Sequence, residues 1–475
     1  MFSIARAAHW RRILTHQEIA RCLCQRLLLL AISLLVTACN GNSLDGTPVA
    51  QQTEPPAPMA TPVIQDITQI VQTVVTATPA PAVACAPATL ETATSVGLGA
   101  LLPLSQSTAW PRGLALQIGL NLAVDEINAQ GGIAGKPIQL ITYDTMGDAQ
   151  RSAALAERLI TQDCVVGLVG LYHDRVASAV KHVAVRFATP VIVVEAADDA
   201  LLSDLPAELF RIGPTTEMLA RFPAEWLTAL GDFNEDGMTT AAILAENSPS
   251  GDRMVEQAER TFPAAGISLL TVRVDLPASD FSSQIARLVA LNERPDALFL
   301  YLTGDASLVA LRQLLDAGIG PEKGTLLVSN GAALDGRFWE QAPDGVGTVV
   351  YRRGPWPSTV DAAGRQMAER YAQLYTGWPE PAVFTGYDAA RLLLDAVSRA
   401  DSLAGPALIG ALESADIVLS AGRYTFPVNA NAPPDGETTF DWQWHQWLTP
   451  PVFFLQYDSP GQNRDDISVI WSMGR

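Results

Sequence analysis

Polar and aromatic residues stand where three apolar runs end, and residues of those types in such places bind small molecules. Tyr172, His173 and Asp174 follow the run 165–169, and Glu195, Ala196, Ala197, Asp198 and Asp199 follow the run 191–194. Trp110 follows a third run, 96–102, within Ser105-Gln106-Ser107-Thr108-Ala109-Trp110. Carboxylates at Asp174, Asp198 and Asp199 would repel an anionic ligand and favour a cationic or hydroxyl-rich one. Trp110 and Tyr172 would cover its apolar part, with Trp able to lie against a cation. Two plainer readings stand beside these: the aspartates cap the helices that follow, and Trp110 packs on an edge.

Other patterns carry less chemistry. Asp232-Phe233-Asn234-Glu235-Asp236-Gly237 matches the first half of a calcium loop, with oxygens on alternate residues and glycine sixth. Its twelfth place is Ile243, where a bidentate Glu is needed. A polar turn is therefore the favoured reading, with Asp232, Asn234 and Asp236 as minor metal candidates. The histidines His9, His16, His173, His182 and His445 form no ligand spacing with the cysteines. Gly97-Leu98-Gly99 hints at a dinucleotide fingerprint, but Leu102 replaces its third glycine. There is no Gly-x-Ser-x-Gly elbow, His-Glu-x-x-His or phosphate-cradling loop. The expectation is a binding protein rather than an enzyme, with no cofactor. An exported nucleotide-cofactor oxidoreductase on the same sheet is the rival. Asp441-Trp442-Gln443-Trp444-His445-Gln446-Trp447 alternates tryptophans as one face of a strand or hairpin would.

The elements that must position these residues alternate. The run 96–102 is a strand buried on both faces, a helix extends from Arg112 to about Gln130, and 138–143 is a second strand. Gly131-Gly132 stop the helix. Such a unit is one right-handed crossover of a parallel sheet. Strand and helix continue to alternate up to Gly213-Pro214, and a second set starts at Met218 and runs to Ser329. Two consecutive sets predict an α/β chain of two doubly wound parallel-sheet lobes. In open parallel sheets the ligand lies beyond the carboxyl ends of the strands, where the residues above fall.

The first 92 residues read differently. Arg6, Arg11, Arg12, Arg21 and Arg26 precede an apolar core at 27–36, too short to span a bilayer but suited to export. It ends Val36-Thr37-Ala38-Cys39, which resembles a bacterial lipobox. That resemblance implies a signal peptide at 1–38 and a lipid on Cys39, which tethers without spanning. An ordinary signal peptide cut elsewhere is the alternative. Residues 39–92, rich in Pro, Thr and Ala, predict a disordered tether. Cys85 and Cys164 remain as an even pair in an oxidising compartment; a disulfide is preferred over two free thiols, and only geometry decides. The net charge of −19 argues against nucleic acid as a partner.

Two longer stretches carry a family resemblance. Residues 123–137, Ala-Val-Asp-Glu-Ile-Asn-Ala-Gln-Gly-Gly-Ile-Ala-Gly-Lys-Pro, lead into the strand ending at Asp144, and Asp280-Phe281-Ser282-Ser283-Gln284-Ile285-Ala286-Arg287-Leu288 lies far downstream. Both resemble type I periplasmic binding proteins, above all the branched-chain amino acid (Leu/Ile/Val) binders of ABC importers. The resemblance implies two lobes joined by a hinge, with lobe 1 at 93–214 plus about 345–422 and lobe 2 at 215–344 plus about 423–475. It implies a monomer that captures an amino acid or related compound and delivers it to a permease, or serves a membrane receptor as its sensor. An aromatic such as Trp110 often covers the ligand in that family. The chain also departs from it. Asp174 and Asp198-Asp199 occupy turns where Ser, Thr and small residues usually hold the ligand carboxylate, and Asn330-Gly331-Ala332 stand where an acid usually meets the ligand amine.

Overall fold

The computed structural model describes residues 85, 89–107, 109–291, 294–329, 331–428 and 443–473. Cys39, the leader, most of the 39–92 stretch, Asn330 and Asp441-Trp442 lie outside the described residues.

The first set of elements is β1 (Val96–Leu102), α1 (Trp110–Ala129), β2 (Ile138–Asp144), α2 (Ala149–Thr161), β3 (Gly167–Gly170), α3 (Asp174–Phe187), β4 (Val191–Val193) and β5 (Leu209–Arg211). The second is α4 (Thr216–Leu230), β6 (Thr240–Glu246), α5 (Pro249–Ala264), β7 (Ser268–Val274), α6 (Ser282–Val289), β8 (Ala297–Tyr301), α7 (Asp305–Asp316), β9 (Leu326–Val328), α8 (Phe338–Gln341) and β10 (Val349–Arg353). There follow α9 (Ala362–Ala372), α10 (Pro381–Arg399), α11 (Gly405–Glu413), β11 (Ile417–Leu419), β12 (Gly422–Tyr424), β13 (Val452–Gln456) and β14 (Ser468–Ser472).

The strands form a parallel five-stranded sheet, ordered β2-β1-β3-β4-β5, and a seven-stranded sheet, ordered β14-β13-β10-β9-β8-β6-β7. In the second, β13 and β14 run antiparallel at one edge. β1 is continuously apolar because both faces are covered: Leu98 and Ala100 pack under α1 and α10, Leu101 under α2 and α3. The second sheet repeats this layering, with Leu244 and Leu298 facing one layer and Ile243 and Phe299 the other. Helix starts are set locally by side-chain caps: Asp148 receives Arg151 N–H, Thr215 receives Met218 N–H, and Asp361 receives Gly364 N–H. The architecture is the two-lobed α/β fold expected from the alternation.

The expected lobe boundaries shift in two places. Return to the first lobe was placed at about residue 345, yet β10 is a strand of the second sheet and Trp356 packs in the second core. The first-lobe core resumes only with Met367 of α9. The crossing back was placed near 423, yet Tyr424 and Trp447 still belong to the first core, and the second sheet is rejoined at β13. The tryptophan-rich stretch is not a strand where it is described. Residues 443–445 form a turn with His445 at φ 48°, and Gln446 makes a single bridge to Arg211 beside β5. Cys85 and Cys164 form a disulfide with Cα atoms 5.3 Å apart. No helix among the described residues is long and apolar enough to cross a membrane.

Candidate functional site

The carboxyl ends of β3, β4 and β5 in one lobe and of β8 and β10 in the other converge on a single cleft. Glu195 lies two residues past β4 and Arg353 ends β10, and their carboxylate and guanidinium stand 4.0 Å apart. This ion pair joins the lobes and separates two cavities, both of which it lines. One, of about 390 Å³, is bounded by Arg112, Val194 and Gly213 from the first lobe side and by Gly331, Tyr351 and Arg352 from the second. The other, of about 490 Å³, is bounded by Tyr172, His173 and Ala197 on one side and by Arg253, Gln257 and Tyr301 on the other. Either volume suits a small organic ligand.

The acidic residues singled out in the sequence are held by backbone. Asp174 Oδ1 accepts from the Ala197 and Asp198 N–H groups at 2.8 and 3.0 Å. Asp198 caps the short helical turn 199–202 by accepting from Ala200 N–H at 3.0 Å. Asp199 accepts from Glu217 N–H at 3.2 Å; burial pushes its carboxyl up, while hydrogen bonds and Arg211 oppose that. Ala197 adds its carbonyl, which accepts from Thr216 N–H and Oγ1. Asp174 reaches the second cavity, but all three carboxylates already have donors. Asp198 caps the turn after it, while Asp174 and Asp199 accept from N–H groups of the loop after β4 and of α4, which weighs against a cationic ligand at these three residues.

The remaining candidates divide. Trp110 opens α1 at 49% exposure and lines neither cavity; Arg112, two residues on, takes the place expected of it. Tyr172 and His173 do line the second cavity. Burial, with Glu195 nearby, raises the Tyr172 hydroxyl, and burial followed by Arg175 lowers His173. His173 Nε2 lies 3.3 Å from Ser107 Oγ, while Nδ1 is buried without a partner. Asn330 is outside the described residues, though its neighbour Gly331 lines the first cavity. The polar turn expected at the calcium-like stretch is present: Asp232 accepts from Asp236 and Gly237 N–H, Asn234 from Asp236 N–H, and Asp236 from Met238 N–H. These oxygens close a turn on themselves. Among the described residues no cluster of three His, Cys, Asp or Glu side chains is placed to hold a metal.

Three residues the sequence reading passed over shape the first cavity. Tyr351 is 7% exposed and its hydroxyl is buried without a partner. Arg352 has its Nε buried without a partner and its guanidinium 4.7 Å from the Trp356 ring centroid. Burial lowers Arg352 to about 10, with Arg112 and Arg464 adding to the fall and Glu380 and Asp465 opposing it. Arg112 makes no hydrogen bond or ion pair among the described residues. The available signal was the doublet Arg352-Arg353 closing a strand that begins Val349-Val350-Tyr351. Adjacent side chains of a strand point to opposite faces, so one of the pair had to point somewhere other than its neighbour.

The periplasmic binding protein family matches residues 95–463 of this chain. The chain is 25% identical over 364 residues to Leu/Ile/Val-binding protein homolog 8 of Brucella abortus (strain 2308), covering 74% of this chain and 88% of that one. Its fold is similar to that of the branched-chain amino acid transporter substrate binding protein LivJ from Streptococcus pneumoniae, solved with isoleucine. There the TM-score is 0.59 at 18% identity, over 79% of this chain and 99% of that one. It is also similar to an ABC transporter solute binding protein of R. palustris solved with benzoate, with a TM-score of 0.58 at 19% identity, over 80% and 96%. With a match across most of its length, this chain belongs to the periplasmic binding protein family, whose members are non-enzymatic components of transport.

Proposed function

We propose that this chain is an extracytoplasmic solute-binding protein that captures a small ligand between two closing lobes and delivers it to the permease of an ABC importer. The observation that carries the reading is the cleft itself: strand ends of both lobes face one space, bridged by Glu195 and Arg353. A ligand touching both lobes stabilises the closed form by its differential affinity for it. Solved proteins of similar fold hold isoleucine and benzoate, which makes a small amino or aromatic acid the ligand class. Residues 1–38 act as a lipoprotein signal, Cys39 carries the lipid and residues 39–92 tether the lobes to the outer face of a membrane. The protein works as a monomer.

Two measurements test this. A ligand screen by thermal shift and small-angle scattering is expected to find a compound that raises Tm and reduces the radius of gyration together. At a hundred times its Kd such a ligand adds ~2.7 kcal/mol. A chain that no small solute closes, or that turns over a compound with added nucleotide, is not a binding protein of this kind. Cys39→Ser is expected to release the protein from membranes. If the variant still partitions with membranes after salt washing and keeps the lipidated mass, the anchor lies elsewhere.

A further inference from the structure

Resting on that reading, we infer that the ligand is an organic anion without an α-ammonium group, its carboxylate held between Arg112 and Arg352. Arg112 and Arg352 line the same cavity of about 390 Å³. Arg352 Nε is buried and has no hydrogen-bond partner. A buried donor left without an acceptor is costly, and a guanidinium more so than a neutral group. Arg112 stands near enough for its charge to act on Arg352, so the two repel across the space they line. A carboxylate between them replaces that repulsion with two attractions and offers an oxygen to the unsatisfied Nε of Arg352.

The cavity provides little for an ammonium group. Glu195 faces Arg353. Glu246, at the end of β6, accepts from Ser248 Oγ and from Thr303 N–H and Oγ1. Asp465 pairs with Arg464 at 3.9 Å, and Glu380, which lines the cavity without an ion pair among the described residues, is exposed to solvent and acts on Arg352. Asp174, Asp198 and Asp199 accept from backbone. What remains is positive charge beside flat apolar walls, with Trp356 and Trp378 lining the same space. Arg352 lies over the Trp356 ring, 4.7 Å from its centroid. A carboxylate on a compact hydrocarbon or aromatic body fits both halves of this lining.

Calorimetric titration of the full chain with matched pairs decides the matter: leucine against 4-methyl-2-oxopentanoate, phenylalanine against phenylpyruvate, with benzoate as a ring acid. The expected result is that an oxo acid or benzoate binds, and binds at least about 10-fold more tightly than the amino acid of its pair. Arg112→Gln, at a half-buried helix position, is expected to keep the melting curve and weaken that binding about 10- to 100-fold. Arg352→Lys, which keeps the charge but loses the fork, is expected to weaken it to a similar degree. An amino acid that binds more tightly than its oxo acid overturns the inference while leaving solute capture in place. So does tight binding of a sugar or polyamine with none of the acids bound. Acid binding that Arg112→Gln leaves unchanged also overturns it, because the carboxylate then sits elsewhere. If no compound of any class closes the lobes, both this inference and the solute-capture reading fall.

Discussion

At the scale of single residues, carboxylates and a histidine set the stability of the cleft wall. Asp174 ties the start of α3 to the loop after β4 by accepting two N–H groups on one oxygen. Asp174→Ala is expected to cost about 1 kcal/mol, because two donors lose their acceptor at an exposed site. Urea unfolding checks this, and Asp174→Asn, which keeps an acceptor, recovers most of the loss. His445 lies at the far end of the same strand layer, its ring stacked on Phe210 at 4.1 Å and its Nδ1 3.1 Å from the Leu209 carbonyl oxygen. Glu413 Oε1 stands 3.3 Å from Nε2 without hydrogen-bond alignment, and burial prevails, lowering His445 to about 4. The unfolded chain, with a histidine near 6.5, then binds more protons than the folded one between those values. This contribution to stability is present above pH 6.5 and lost as pH falls toward 4, by roughly 3 kcal/mol at most. Burial raises Asp199 and Glu413, which act in the opposite sense. The difference between wild type and His445→Gln therefore isolates the histidine. A difference that does not change between pH 7 and 4 would show that His445 titrates in the folded protein as it does in the unfolded chain.

At the scale of elements, the first lobe depends on α1 crossing α10 closely. A Cβ on Gly119 would stand 2.0 Å from the Val383 carbonyl oxygen, so backbone meets backbone there. Beyond the crossing, Glu126 of α1 accepts from Tyr387 Oη at 2.6 Å and lies 3.6 and 3.7 Å from Arg370 and Arg391. Gly119→Ala is expected to force the helices apart and cost about 1–3 kcal/mol, read as a lower denaturation midpoint. This crossing joins segments more than 250 residues apart, which explains what the sequence alone did not disclose. Alternating strands and helices were legible because each depends on local apolar spacing. The lobe to which β10 belongs was not, since Val349-Val350-Tyr351 looks like any buried strand and its antiparallel partner β13 lies a hundred residues on. The tryptophan stretch misled for a related reason: alternate spacing suits a strand, but His445 turns the chain, and Trp444 and Trp447 bond separately to Pro206 and Arg423 carbonyls. At the cleft, the position of Asp174 and Asp198-Asp199 beyond strand ends was legible while their occupancy by N–H groups was not. Arg112 and Arg352 lack any local mark of being unpaired, because that is a property of what surrounds them in space.

At the scale of the whole molecule, the disulfide closes a loop spanning 79 residues around β1, α1, β2 and α2. Loop-closure arguments allow about 4 kcal/mol, with strain and unfolded-state structure reducing it. Cys85→Ser with Cys164→Ser is expected to lower stability by up to that amount and leave ligand affinity unchanged, since neither cysteine lines the cleft. Thiol labelling of the denatured, unreduced protein is expected to find neither of the two free. The place of this link has a mechanical side. Cys164 lies just before β3, at the amino end of the first sheet, whereas the cleft opens at the carboxyl ends. Tension pulling on the chain ahead of Cys85 is passed covalently to the root of a central strand, so β1 is not the first element to be unzipped. Such a load enters the lobe at the pole opposite the cleft, so it does not cross the space between the two lobes.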